Sequence, residues 1–432
     1  MASYGHWVGF SLFHLSQKIE TFGAMQGYII TKALCGDAAE KEEAIRMIQK
    51  CIAVLIAVMV LLMAGCSAPP DEGNEAIFFF PSEEVTHEGT WLTWPHKYAD
   101  KQSYYFGEEG IDGEVYVQML EPIWIEITKA LHTGETVHII AYNAEEQARI
   151  EKLLQENKVD LSKIDFVIIE TDDVWMRDTG PIFTLKDGKE LAIANFIFDG
   201  YGNAIEPEYY AKDAQIAANI ASLKGFECID IDMVLEGGSV EVDGHGTLIA
   251  AKSSVVGTER NTEMRIEEVE AYLKKYYGVT NIIWIEGLKN EDITDGHIDA
   301  CVKFAEGNKL VTLPYDDFMW YCSETEQDWE IVSNAVNADG VPYEIVEIPL
   351  TETFYEELED YGCYLNYYVG NEVVLVPIYG DVNDQVAMDI IASLYPTRRI
   401  VGINCLNLAL FGGMVHCVTQ QQPALDAIIS TK

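Results

Sequence analysis

Four glycine turns at a near-constant interval constrain this chain more than any other feature of its sequence. Each stands between two short apolar strands. Asp187-Gly188 joins Pro181–Leu185 to Leu191–Phe196, and Asp243-Gly244 joins Ser239–Val242 to Thr247–Ala250. Gly307-Asn308 joins Ile298–Phe304 to Leu310–Leu313, and Gly370-Asn371 joins Tyr364–Tyr368 to Val373–Pro377. The glycines at 188, 244, 307 and 370 are 56, 63 and 63 residues apart. Helix-like stretches at 266–277 and 384–394 are each followed by a strand, at 281–285 and 399–403, so the repeating unit reads hairpin, helix, strand. Residues 114–131 and 136–140 supply the helix and strand of one more unit. Its hairpin is expected to pair 90–94 with 415–419, from the other end of the body. Five such units closing into a ring predict a single-domain α/β propeller.

A ring brings equivalent positions of each unit to one axis, so polar residues at matching offsets are candidates for a site. Asp178 and His297 both precede their turn glycine by ten residues and Glu236 precedes its own by eight. Asn366 stands ahead of the fourth turn, and His416-Cys417 lies in the expected final strand. Strand alternation lets His297 and Asp299 face the same way but allows only one of His416 and Cys417 to do so. Cys417 is the better candidate, because Gly412-Gly413 before it lets the backbone approach a ligand closely. A thiol, an imidazole, carboxylates and an amide suit nucleophilic catalysis by cysteine. Carboxylates beside a thiol weaken it unless the substrate is a cation, and a planar guanidinium is the group that two carboxylates bind best. Blander readings stand beside this one: Asp178 as half of an ion pair with Arg177, and Cys417 as packing. His297 as a metal ligand with Asp295 and Asp299 is disfavoured, since the other histidines show no HxH or HxxxH spacing.

Charge narrows the partners. The chain carries 28 Lys+Arg against 71 Asp+Glu, a net charge of −43. Five bases and five acids fall within residues 1–65, so the whole excess lies beyond them. Such a body repels phosphate backbones, and no basic patch favours nucleic acid. Residues 47–66, MIQKCIAVLIAVMVLLMAGC, have a lysine, an apolar run too short for a comfortable membrane span, and small residues before a cysteine. Residues 1–46 are expected to be an extension of uncertain role and 47–65 a signal peptide. Cys66 is then a lipidation site, 66–76 a tether and 77–432 the catalytic domain. This places the protein in the cell envelope, outside the cytoplasm, with a plain membrane anchor or a cytoplasmic enzyme as alternatives. Nine cysteines without a CxxC pair suggest neither a disulfide scaffold nor a zinc knuckle.

Five blocks together resemble the agmatine deiminase and bacterial Porphyromonas-type peptidylarginine deiminase family: EGTWLTWP at 88–95, DVWMRDTGP at 173–181, LEGGS at 235–239, TDGHID at 294–299 and HCVTQQQP at 416–423. They run in family order from about residue 76 to 425. The resemblance implies a pentein fold of ββαβ modules, hydrolysis of a guanidinium to a ureido group with loss of ammonia, and neither metal nor cofactor. By it, Cys417 attacks the guanidinium carbon, His297 moves protons, and Asp178 and Asp299 hold the guanidinium nitrogens. Trp175, Glu236, Asn366 and Trp94 are then substrate-binding or supporting residues. Agmatine, giving N-carbamoylputrescine, is the leading substrate, with an arginine side chain as alternative. Ile293 stands where agmatine-type members carry an acid, and 196–203 lacks the arginines of the peptidylarginine type. A lipoprotein that binds cations without turnover is the rival from another class. Oligomeric state is left open.

Overall fold

Strand pairs and tight turns form where the glycine interval predicts them. In the computed structural model, which describes residues 76–98, 111–257 and 259–430, Asp187 and Gly188 both have positive φ. They open a three-residue loop, 187–189, whose left-handed backbone suits the right-handed twist of hairpin strands. It joins Ile182–Lys186 to Glu190–Ile197, the first antiparallel pair, against which Glu227–Val234 lies parallel. The second module pairs Val240–Val242 with Thr247–Ala251 and adds Asn281–Ile285 in parallel. The third pairs Val302–Ala305 with Lys309–Thr312 and adds Glu344–Glu347, and the fourth pairs Tyr368–Val369 with Val373–Ile378 and adds Arg399–Asn404. Gly370 differs from the other three turn glycines in not having positive φ.

The fifth module is assembled from both ends of the body. Gln420–Pro423 pairs antiparallel with His87–Thr93, and Thr136–Ala141 and Ile164–Ile168 follow in parallel. The expected partner 415–419 is therefore displaced: the strand begins at Gln420, and Val415–Val418 form a turn. Five separate sheets thus share one plan, an antiparallel pair continued by a parallel strand reached through a helix. Phe78–Phe79 adds an antiparallel edge to the first.

Each helix is amphipathic for the reason its sequence gives. Gly113–Leu131 starts at Asp112, whose side chain accepts the amides of Glu114 and Val115, and buries Tyr116, Leu120, Ile123, Trp124, Ile127 and Leu131 on one stripe. Asp384–Leu394 buries Ala387, Ile391 and Leu394 at the same period. The apolar core lies between these stripes and their sheets, with Val137, Ile139, Val374 and Leu375 fully buried. Full burial of such side chains contributes about 1.5–3 kcal/mol each.

Cys301 and Cys322 form a disulfide with a Cα–Cα distance of 5.7 Å. No local motif marks it in the sequence, where the half-cystines are 21 residues apart, and it departs from the expectation of unpaired cysteines as apolar filler. Ala76–Lys432 forms one compact unit. The expected extension, the signal segment and Cys66 lie outside the described residues.

Candidate active site

Short helical turns, not strands, carry the candidate residues. Met176–Thr179 holds Asp178, Gly237–Ser239 follows Glu236, and Ile298–Ala300 follows His297 and holds Asp299. Cys417 lies in the 415–418 turn. Strand alternation therefore reached the right side chains by the wrong geometry. His297 and Asp299 do line one cavity, joined there by Trp175, Asp178, Asn366 and Cys417. His416 turns away beneath it.

Hydrogen bonds lock this layer. The Cys417 carbonyl accepts the Arg177 amide at 3.0 Å, tying the turn of Cys417 to that of Asp178. Asn366 Oδ1 accepts the amides of His416 (3.0 Å) and Cys417 (3.3 Å) and faces Cys417 Sγ at 3.4 Å. Its Nδ2 donates to Asp299 Oδ2 at 3.1 Å. Asp178 Oδ1 accepts the Gly238 amide at 3.0 Å, and Oδ2 accepts the Tyr201 hydroxyl at 3.1 Å. His297 lies between two acids, Nδ1 at 3.7 Å from Asp178 and Nε2 at 3.4 Å from Glu236.

Burial of these charges sets their protonation. Burial alone would push the His297 imidazole down, but Asp178 and Glu236 outweigh it and raise it to about 9. Burial, with the negative charges of Asp299 and Asp178, pushes the Cys417 thiol well above its usual range. Asp178 is raised, by burial first and then by Asp299 and Glu236, against the opposing charge of His297. Asp299 is lowered: burial opposes, and His416 and His297 prevail. At neutral pH the site therefore holds a thiol and an imidazolium.

Trp94 stands elsewhere than expected, Glu236 takes the supporting one of its two expected places, and the blander reading of an Asp178–Arg177 ion pair is not met. Trp94 does not reach the cavity. It is 1% exposed, packs in the apolar core and donates to Glu121 Oε1 at 2.9 Å, because its strand places it on the helix side of the sheet. Glu236 is fully buried behind His297, where both its oxygens take Arg260 Nε at 2.9 Å, so it supports the imidazole instead of binding substrate. Arg177 does not pair with Asp178; its guanidinium donates to Gln420 and Gln421 at 2.8 and 2.9 Å. Within the Gly412-Gly413 pair, Gly412 lines the cavity, and Gly413 makes room for the indole, since a Cβ there would meet Trp175 Cζ3 at 2.4 Å.

Other cavity residues carried no signal of their own in the sequence. Tyr201 is presented by a Gly-Tyr-Gly-Asn turn at φ 60°, and that glycine pair was its one visible mark. Tyr321, Phe411 and Met414 complete the apolar wall, and Asp292 and Ile293 stand on the same lining. Arg260 also escaped notice; it is buried between Glu236 and Asp295, 2.9 Å from each.

Residues 79–423, which contain every part of this layer, match the Porphyromonas-type peptidyl-arginine deiminase family. The chain belongs to that family. With it the protein falls among the deiminases, hydrolases acting on C–N bonds. Among relatives of this deiminase, a Streptomyces coelicolor protein named "Putative agmatine deiminase" is 31% identical over 353 residues, 80% of this chain and 99% of that one. A Porphyromonas gingivalis structure described as a "Putative Arginine Deiminase" is 28% identical with a TM-score of 0.68, covering 80% of this chain and 98% of that one. The Enterococcus faecalis agmatine deiminase shares the fold, with a TM-score of 0.69 at 22% identity over 81% of this chain and 96% of that one.

Proposed function

We propose that the protein is a guanidine deiminase that works through a covalent cysteine intermediate, with agmatine as its leading substrate and N-carbamoylputrescine as product. The observation that carries this reading is one cavity lined by a thiol, an imidazole and three carboxylates, of which Asp178 and Asp299 act on the thiol. Asp178 and Asp299 accept the guanidinium N–H groups, and Trp175 packs beside it. The incoming cation offsets the share of the Cys417 shift that comes from Asp299 and Asp178, though not the share from burial, and the thiol proton passes to solvent. The thiolate then forms a bond to the guanidinium carbon. The C–N bond to one terminal nitrogen breaks as the His297 imidazolium gives that nitrogen a proton, and ammonia departs. A water molecule, deprotonated by the now neutral His297, adds to the amidino-thioether carbon. The C–S bond breaks, and the ureido product leaves with Cys417 regenerated.

No Lys or Arg lines the cavity among the described residues, which favours a substrate with a distal amine over one with a free carboxylate. A second reading is deimination of arginine side chains in protein: Ile293 on the lining is apolar, whereas its neighbour Asp292 on the same lining offers a carboxylate to an amine and favours agmatine. The ring closure of the five sheets as a fivefold pentein propeller, and tethering to the cell envelope through lipidated Cys66, belong to the same proposal. The common sheet plan supports the first, and the apolar run ending at Cys66 supports the second.

Ammonia and ureido product are to be measured with agmatine, arginine and an arginine peptide. Wild type is expected to prefer agmatine, and Cys417→Ala to lose turnover by at least about 10³-fold while still binding it. Absence of turnover of every guanidine by wild type would leave a cation-binding protein in place of an enzyme.

A further inference from the structure

Directly beneath Asp299 lies a column of buried charges that the reaction above does not use. His416 Nδ1 meets Asp299 Oδ2 at 2.6 Å, and its Nε2 meets Glu83 Oε2 at 2.7 Å. Glu83 comes from the segment ahead of the fifth module's first strand; its other oxygen accepts the Val369 amide at 2.7 Å. It also stands 3.6 Å from Arg177 Nη2 and 3.7 Å from Lys303 Nζ, which in turn meets Glu241 at 2.8 Å. His416 is 2% exposed and Lys303 is 2% exposed. Ionised carboxylates only accept hydrogen bonds, so a ring with one at each nitrogen satisfies both only by donating twice. The column thus alternates in sign from the cavity floor downward.

We infer that His416 is a positioning residue for Asp299. Both the His416 and Asn366 hydrogen bonds to Asp299 fall on Oδ2, which turns Oδ1 toward the cavity as the acceptor for a guanidinium N–H. His416 is also the neighbour of Cys417 in a turn held by Asn366 Oδ1 at both amides. One peptide therefore fixes the thiol above and the substrate carboxylate below in a common frame. A displacement of about 1 Å in such a frame costs on the order of 10²-fold in rate. A buried charge network by itself is weak evidence of stabilisation, so its value here is geometric. The groups facing Asp299 are His416, His297, Asp178, Cys417 and Lys303, and those facing His416 are Asp299, Glu83 and Glu241.

This inference rests on the deiminase reading, and its test separates the two. Asn places its amide where Nδ1 of histidine lies, and Gln places it near Nε2. His416→Asn keeps the donor to Asp299, whereas His416→Gln keeps the one to Glu83. With agmatine, His416→Gln is expected to lose about 10²-fold in kcat, His416→Asn to recover most of that loss, and both to alkylate Cys417 with iodoacetamide at the wild-type rate. Glu83→Gln, which leaves the ring in place, is expected to fall between them. In ¹⁵N-histidine spectra of the wild-type chain at pH 7, the ring resonance perturbed by Glu83→Gln is expected to show both nitrogens protonated. Equal activities for the Asn and Gln variants, or a singly protonated ring, overturn the inference while the enzyme remains a deiminase. A wild type inactive on all guanidines overturns the deiminase reading, and the inference with it.

Discussion

At the scale of single residues, His297 is where protonation, stability and chemistry meet. Its imidazole is raised to about 9 in the folded chain against about 6.5 unfolded. The stabilisation that follows is fully present below about pH 6.5 and is lost as pH rises through about 9, because between the two values only the folded chain binds the proton and above the upper one neither state does. The interval corresponds to on the order of 3 kcal/mol at most. Thermal unfolding followed from pH 6 to 10 is expected to show that decline in wild type and a flatter profile in His297→Gln; parallel profiles would refute the assignment. Asp178 and His297 were legible from their shared offset to a turn glycine, Asp299 from its place two residues beyond His297, and Cys417 from the glycine pair before it. Arg260 and Glu83 were not. A lone buried charge has no sequence signature until the fold shows what it neutralises, and Glu83 reaches His416 from 333 residues away.

At the scale of elements, the site depends on tight turns that precede each hairpin. The hydrophobic alternation of 239–242 and 298–304 continues through these turns, so pattern reading extended the strands over residues 298–300 and Ser239, which the structure folds into 3₁₀ turns. A turn of three residues leaves too short a period to be distinguished from a strand end. The Gly237–Ser239 turn has a specific steric requirement. A Cβ on Gly238 would meet His297 Nδ1 at 2.5 Å and Asp178 Oδ1 at 3.0 Å. Gly238→Ala is therefore expected to displace the imidazole and cost roughly 10²-fold in kcat, with a stability loss of about 1–3 kcal/mol. Steady-state kinetics beside thermal unfolding check it, and wild-type turnover in the variant would contradict the close packing.

At the scale of the whole molecule, the net charge of −43 draws cations toward the surface from beyond contact distance, an effect that salt screens over about 8–10 Å. The few acids that touch the reaction are a small share of it. Processing of the amino terminus also belongs to this scale. Intact mass measurement on protein from its native envelope is expected to give a chain beginning at a diacylated Cys66, and a chain retaining Met1 would defeat the tether. The sequence by itself determined the family, the hairpin period, the module plan and the candidate thiol, Cys417, since these are written in local pattern and contiguous blocks. Only the tertiary structure decided that Trp94 serves the core, that Glu236 stands behind the imidazole, that Cys301 meets Cys322, and that a charged column lies under Asp299. Each of those facts depends on which groups from distant modules face each other across the interior, and side-chain direction at a turn is fixed by packing, not by the order of residues.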